Sequence, residues 1–288
     1  MYQCNLTSLG TTSLFPKVKN FLLETVKSIA LLLFVFCYTN SATAQSTFYV
    51  SSNTQPSIGV FTTNMDGSIT NTTFPSIASD ADGIFYDELT DQLYQLNREN
   101  GTVSLYQNIQ ASLATGNSPS LLSMSAAEFS NGREIAVSRN RLVVAQDANE
   151  ANGNQNRLIV FDISNGGFQL MNRYDVDFNL WGIHADGETL YAVEDNSNRV
   201  AVFENFFLLP YGKITPTQLI SVDGLVRTHG LTYAPEQDLM ILTDVGAASS
   251  PDDGAVFVIN NFKAAAMDGN INITYRDTQL AQRFVKVR

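Results

Sequence analysis

The 288-residue chain is 44% hydrophobic, 10% aromatic and only 16% charged, enough apolar side chain for a substantial core, which excludes a disordered or coiled-coil protein. Seventeen Lys and Arg stand against 28 Asp and Glu, a formal net charge of −11 that repels phosphate backbones and anionic lipid surfaces. Nucleic acid is therefore not an expected partner.

Residues 1–44 read as an export signal. Lys17, Lys19 and Lys27 precede an apolar stretch from Ile29 to Tyr38, polar residues follow, and Ala42-Thr43-Ala44 offers a small-x-small cleavage pattern before Gln45. The apolar stretch is about ten residues, short of the roughly 20 that cross a hydrocarbon core, so a cleaved leader is expected and no membrane insertion after it. The expected location is periplasmic, secreted or cell-surface. Cys37 lacks the surroundings of a lipid-attachment cysteine, because Phe34 and Phe36 occupy the positions that favour Leu and a small residue. Cleavage removes both cysteines, three lysines and Glu24, leaving 14 basic and 27 acidic residues, a net of −13. The remaining 244 residues hold no disulfide, thiolate nucleophile or Cys-ligated metal.

A repeat follows. The segment from Phe48 to Phe61 carries only the middle of the pattern; units then open near 82, 133, 181 and 229. They run Asp82-Gly-Ile-Phe-Tyr to Tyr106, Arg133-Glu-Ile-Ala-Val to Phe161, Trp181-Gly-Ile-His-Ala to Phe203, and His229-Gly-Leu-Thr-Tyr to Val258. With Gly83, Glu134, Gly182 and Gly230 taken as equivalent, the spacings are 51, 48 and 48 residues. Within each unit, apolar runs rich in Val, Ile, Tyr and Phe alternate with Asn, Asp and Gly turns, such as Asn100-Gly101 and Asp186-Gly187. No window holds helical periodicity over three turns; the best, Leu113 to Phe129, is interrupted by Gly116 and Pro119. Three or four antiparallel strands recurring about every 48 residues predict an all-β fold, a β-propeller of four-stranded blades occupying residues 45–288.

The unit Trp181-Gly-Ile-His-Ala-Asp-Gly-Glu-Thr-Leu-Tyr-Ala-Val-Glu-Asp-Asn-Ser-Asn-Arg-Val-Ala-Val-Phe203 resembles the NHL repeat and the YVTN-type bacterial propeller repeat, with a more distant similarity to six-bladed gluconolactonase-like propellers. The resemblance implies a propeller and leaves function open, since such proteins include binding platforms and metal-dependent sugar-lactone hydrolases. About five blades are visible. The period places another innermost strand near residue 278, and Arg283-Phe-Val-Lys-Val287 lies close enough to close the ring; the alternative is a six- or seven-bladed protein whose end is missing.

The fold predicts two loop sets at the mouth of the central channel. The first presents Asp82, Arg133, Trp181 and His229, residues that differ while their neighbours repeat, as expected where a ligand is read; interblade packing is the plainer reading. The second presents Asn97 and Glu99, Asp147 with Asn149 and Glu150, Glu194 with Asp195 and Asn196, and Asp244 with Asp252 and Asp253. Of these, Asp147, Glu194, Asp195 and Asp244 are candidate ligands for Ca²⁺, although the same residues also form turns. His184 is expected to be buried between blades, and His229 is the candidate general base. The expected function is an exported binding module for a protein, peptide or glycan without chemistry. The alternatives are a metal-dependent sugar-lactonase-like hydrolase and a structural cell-surface domain.

Overall fold

A computed structural model describes residues 46–51, 56–64, 68–76, 78, 80–247, 249, 254–268, 271 and 275–277. The leader and the candidate closing strand 283–287 lie outside the described residues, as do Asp252 and Asp253. Residues 47–62 with 69–288 form one compact unit, which carries the strands described below except their end residues Ser46 and Thr63; of the second unit, the described residues include Asn64, whose N–H bonds to the Ser68 carbonyl at 2.8 Å.

The architecture is the expected all-β one, a five-bladed propeller. The first blade contributes three described strands, β1 (Ser46–Ser51), β2 (Ser57–Thr63) and β3 (Ile69–Pro75), in that order. The second holds β4 (Ile84–Asp87), β5 (Gln92–Asn97), β6 (Thr102–Gln107) and β7 (Ser120–Met124). The third holds β8 (Gly132–Ser138), β9 (Arg141–Gln146), β10 (Arg157–Asp162) and β11 (Gln169–Asp175). In the fourth, β12 (Leu180–Asp186), β13 (Thr189–Glu194) and β14 (Arg199–Phe203) are followed by β15 (Gly212–Lys213), which crosses to pair in parallel with β11, before β16 (Gln218–Ser221) completes the sheet. The fifth holds β17 (Thr228–Ala234), β18 (Leu239–Asp244), β19 (Ala255–Asn260) and β20 (Tyr275–Asp277). Neighbouring strands within the second to fifth blades are antiparallel.

The recurring glycine at the head of the first strand has a steric cause. A Cβ on Gly83 would lie 2.8 Å from the Ile135 backbone nitrogen and 2.9 Å from Glu134 Cα, and one on Gly182 would lie 2.7 Å from the His229 carbonyl oxygen. The first strands therefore abut backbone to backbone, β4 on β8 and β12 on β17, and Gly is the residue that permits this approach.

Side chains alternate between the two faces of each blade and fill four interblade cores. Leu93 and Tyr106 meet Tyr49, Ile58, Val60 and Phe74 of the first blade; Tyr94, Leu96, Val103 and Leu105 meet Leu142, Val144, Ile159 and Phe161 of the third. Equivalent clusters join the third blade to the fourth and the fourth to the fifth.

Two short helices break the all-strand expectation, α1 (Ile109–Thr115) and α2 (Phe262–Asp268). One device anchors both. Tyr86 donates to Asp91 Oδ1 (3.0 Å), which also accepts the Gln110 N–H (2.9 Å); Tyr233 donates to Asp238 Oδ1 (2.9 Å), which accepts the Lys263 N–H (2.8 Å). Each aspartate sits at positive φ and neutralises orphan donors at a helix start. Helix α1 ends where Gly116 adopts the left-handed conformation, so this glycine terminates one short helix and does not interrupt a longer one. Among the described residues no helix is long and apolar enough to cross a membrane.

Candidate functional site

Three tiers of equivalent positions meet where the first strands of the blades begin and the second strands end. The residue after each second strand, Arg98, Asp147, Asp195 or Val245, donates its backbone N–H to the carbonyl of Asp80, Asn131, Asn179 or Arg227 respectively, at 2.9, 3.1, 2.9 and 3.0 Å. Between these tiers stand Asp82, Arg133, Trp181 and His229, the four residues singled out by the repeat.

The structure joins these four into one continuous contact. Arg133 donates from Nη2 to Asp147 Oδ2 at 2.9 Å and holds Nη1 3.6 Å from Asp82 Oδ2. The flat face of its guanidinium lies 4.0 Å from the Trp181 ring centre, a cation–π contact. On the other side of Trp181, the His229 ring stacks with centroids 3.6 Å apart and planes inclined by 5°. His229 Nε2 then faces Asp195 Oδ1 at 3.7 Å. Both faces of Trp181 are thereby covered, which closes the platform that a sugar ring would need.

Two arginines that sequence reasoning passed over complete the arrangement. Arg98 lies 3.5 Å from Asp82 and 3.8 Å from Asp80, and its Nε donates to Asn131 Oδ1 at 3.0 Å. Arg227 sits two residues before His229, equivalent to Asp80 and Asn131. A search for acids along the second loop set skips Arg98; aligning it with Asp147 and Asp195 in the repeat would have found it. On the second and third blades opposite charges alternate, although Asp82 Oδ2 is held only at ion-pair distance by Arg98 and Arg133. Among the described residues Asp82 Oδ2, Asp195 Oδ1 and Arg227 Nε are buried without a hydrogen-bond partner.

Burial dominates the ionisation of the site. The Arg133 side chain is 10% exposed, Asp82 and Asp147 16% each, His229 15% and Asp195 11%. His229 is pushed down to about 3, first by burial and then by the nearby Arg227 and Arg133 charges. Burial also raises Asp195, with the Asp147 charge adding to it, against the Asn196 N–H and the two arginines. An ion pair between His229 and Asp195 would shift both the other way. At 3.7 Å, without a hydrogen bond, desolvation outweighs that attraction, and the imidazole is neutral. Asp82 is likewise raised by burial in spite of Arg98 and Arg133.

The four candidate metal ligands do not converge. Asp147 is engaged by Arg133 and by Asn131 Nδ2. Glu194 accepts from Arg199 Nη2 (2.7 Å) and Ser197 Oγ (3.1 Å). Asp244, equivalent to Glu194, accepts from the N–H groups of Val226, Arg227 and Gly246 and from the Thr228 hydroxyl, between 2.7 and 3.0 Å, and so ties its loop. Asp195 stands apart beside His229. Among the described residues no three His, Cys, Asp or Glu side chains are grouped to hold a metal ion. Asn149 instead forms a reciprocal cap with Asn152, Asn97 accepts the Asn100 N–H, and Glu99 and Glu150 are exposed. His184 is half-buried between blades, edge-on to Tyr233 with centroids 6.4 Å apart.

No family model matches the sequence, and neither does any curated protein. Solved structures share the fold. A candidate 6-phosphogluconolactonase from Bacteroides fragilis superposes with a TM-score of 0.53 at 10% identity, over 83% of each chain. A chain of a nidogen/laminin complex gives 0.51 at 11% identity, over 81% of this chain and 80% of that one. A protein of unknown function from Desulfotomaculum acetoxidans gives 0.53 at 10% identity, over 80% of this chain and 65% of that one.

Proposed function

We propose that this protein is an exported binding module of the NHL or YVTN kind, reading a protein or peptide segment with the mouth face of its propeller. The observation that carries the reading is the contrast between frame and tip. Backbone positions that bond identically in four blades present Asp82, Arg133, Trp181 and His229, and beside them Arg98, Asp147, Asp195 and Val245. Closely spaced charges of both signs suit the mixed groups of a polypeptide, and the covered faces of Trp181 make a glycan the less supported ligand. Export rests on the leader pattern of residues 1–44.

The test is a parallel screen of the leader-free protein on peptide and glycan arrays, with Asp80→Ala and Arg98→Ala as mouth variants. These side chains are about a third exposed, 34% and 30%, and tolerate removal better than the buried members of the cluster. Peptide binding that both variants weaken supports the reading. Binding indifferent to both, or none on either array, overturns it and favours the structural-domain alternative.

A second reading, lactone hydrolysis, draws on the likeness to the candidate 6-phosphogluconolactonase and on the neutral His229 imidazole facing Asp195. Those two groups have the chemistry of a proton acceptor and its partner without requiring a metal. Ring-opening of δ-gluconolactone followed by acid release, and abolished in His229→Phe, would establish it.

A further inference from the structure

The pairs of side chains that each blade turns toward the preceding blade form a series. On β9 and β10 they are Leu142 with Phe161 and Val144 with Ile159; on β13 and β14, Leu190 with Phe203 and Ala192 with Ala201; on β18 and β19, Met240 with Ile259 and Leu242 with Phe257. All are apolar and buried. On β5 and β6 the first pair, Leu93 with Tyr106, keeps the pattern, but the next is Gln95 with Ser104, followed by Asn97 with Thr102 toward the mouth. This face meets the first blade.

Gln95 and Ser104 are completely buried, and Thr102 is nearly so. Asn97 is satisfied by the Asn100 N–H, whereas Gln95 Oε1, Gln95 Nε2, Ser104 Oγ and Thr102 Oγ1 have no hydrogen-bond partner among the described residues. A dry joint would leave each atom with its full desolvation penalty, which the other three blades avoid by using apolar pairs. The atoms include acceptors and donors on one face, and none is ionised. An ion is therefore not matched, and the neighbouring Leu93 and Tyr106 are buried in the apolar core of the same joint. Water, which both donates and accepts and typically makes about three bonds when buried, matches the set.

We infer that the joint between the first and second blades is a bound-water site, in which ordered water bridges Gln95, Ser104 and Thr102. Of the four joints whose cores are described, the one held by solvent is also the one that opens most readily, since a hydrated contact adds less local stability than the dry cores of the other three.

The test compares crystal structures of the full protein and of the Gln95→Leu/Ser104→Ala variant, which gives this face the apolar character of its counterparts. The expected wild-type result is water within roughly 2.7–3.2 Å of Gln95 and Ser104. In the variant the water is gone, the melting temperature is equal or higher, and hydrogen exchange of the β5 and β6 amides is about tenfold slower, reflecting a higher local-opening free energy. Gln95 and Ser104 satisfied by protein groups alone would overturn the inference, as would water that persists unchanged in the variant or exchange that does not slow. Should the double variant fail to fold, Thr102→Val keeps the shape and deletes one hydroxyl: a water lost at that tier supports the site, and an unaltered one refutes it.

Discussion

Mild acid should weaken this fold through the His229 imidazole. His229 is held down to about 3 in the folded protein, whereas in the unfolded chain it titrates near 6.5. Between those values the unfolded chain takes up a proton that the native state refuses, so the stability from keeping His229 neutral is complete above about pH 6.5 and drains away as the pH falls. At pH 5, about 1.5 units below the free value, the loss is about 2 kcal/mol. Asp82 and Asp195 work in the opposite sense. Their pKa values are raised, so the native state takes up those protons first, and what they withhold at neutral pH returns as the pH falls. His229→Phe isolates the imidazole, because phenylalanine keeps a flat ring against Trp181 but cannot titrate. Urea unfolding at pH 7 and pH 5 should show the wild type losing about 2 kcal/mol more than His229→Phe over that interval. Equal losses in the two proteins, or an NMR titration of the His229 imidazole centred near pH 6, would refute the reasoning.

Other substitutions test the mouth as a piece of structure. Arg133→Met should cost about 3 kcal/mol in urea unfolding, because it strands the buried Asp82 and Asp147 carboxylates without their shared cation. Asp244→Ala removes the acceptor of four hydrogen bonds and should cost about 2–4 kcal/mol, mostly as unsatisfied N–H groups. Gly182→Ala drives a Cβ to 2.7 Å from the His229 carbonyl. It should cost about 1–3 kcal/mol and, by parting the rings, change the emission of the only tryptophan in the chain. Millimolar calcium should leave the melting temperature unchanged, since Asp147, Glu194 and Asp244 are already engaged; a calcium-dependent rise abolished by Asp195→Ala would restore a metal site at the mouth.

What the sequence made legible was whatever the repeat imposes on every blade. The 48-residue spacing aligned Gly182 with Gly230, and the structure supplies the cause: first strands that approach closely enough to exclude a Cβ. The same alignment placed Asp82, Arg133, Trp181 and His229 at one mouth. Features peculiar to one or two blades escaped. Helices α1 and α2 are two turns each and depend on Asp91 and Asp238, residues that bond to them from 19 and 25 positions earlier in the chain, so no local periodicity announces them. Of the carboxylates read as metal ligands, Asp147, Glu194 and Asp244 are spent on neighbouring arginines and N–H groups, a competition that spacing does not reveal.

The chemistry of the mouth follows from which pairs happen to touch across blades. A repeat dictates that residues about 48 apart come to equivalent places on successive blades, but it does not say that they meet. Here they do, because Arg133, Trp181 and His229 are all planar groups, and planar groups projecting from adjacent blades around one axis stack at van der Waals distance. Stacking covers the tryptophan faces that a single-residue reading would offer to a ligand, so under the proposed function recognition would fall to the more exposed Asp80 and Arg98. It also buries His229 deeply enough to keep it neutral, so a side chain whose charge would ordinarily change near physiological pH is held out of that range by the cluster that presents it. A ligand that replaced either stacking partner would expose the imidazole and return its pKa toward the ordinary value, coupling binding at this mouth to proton uptake.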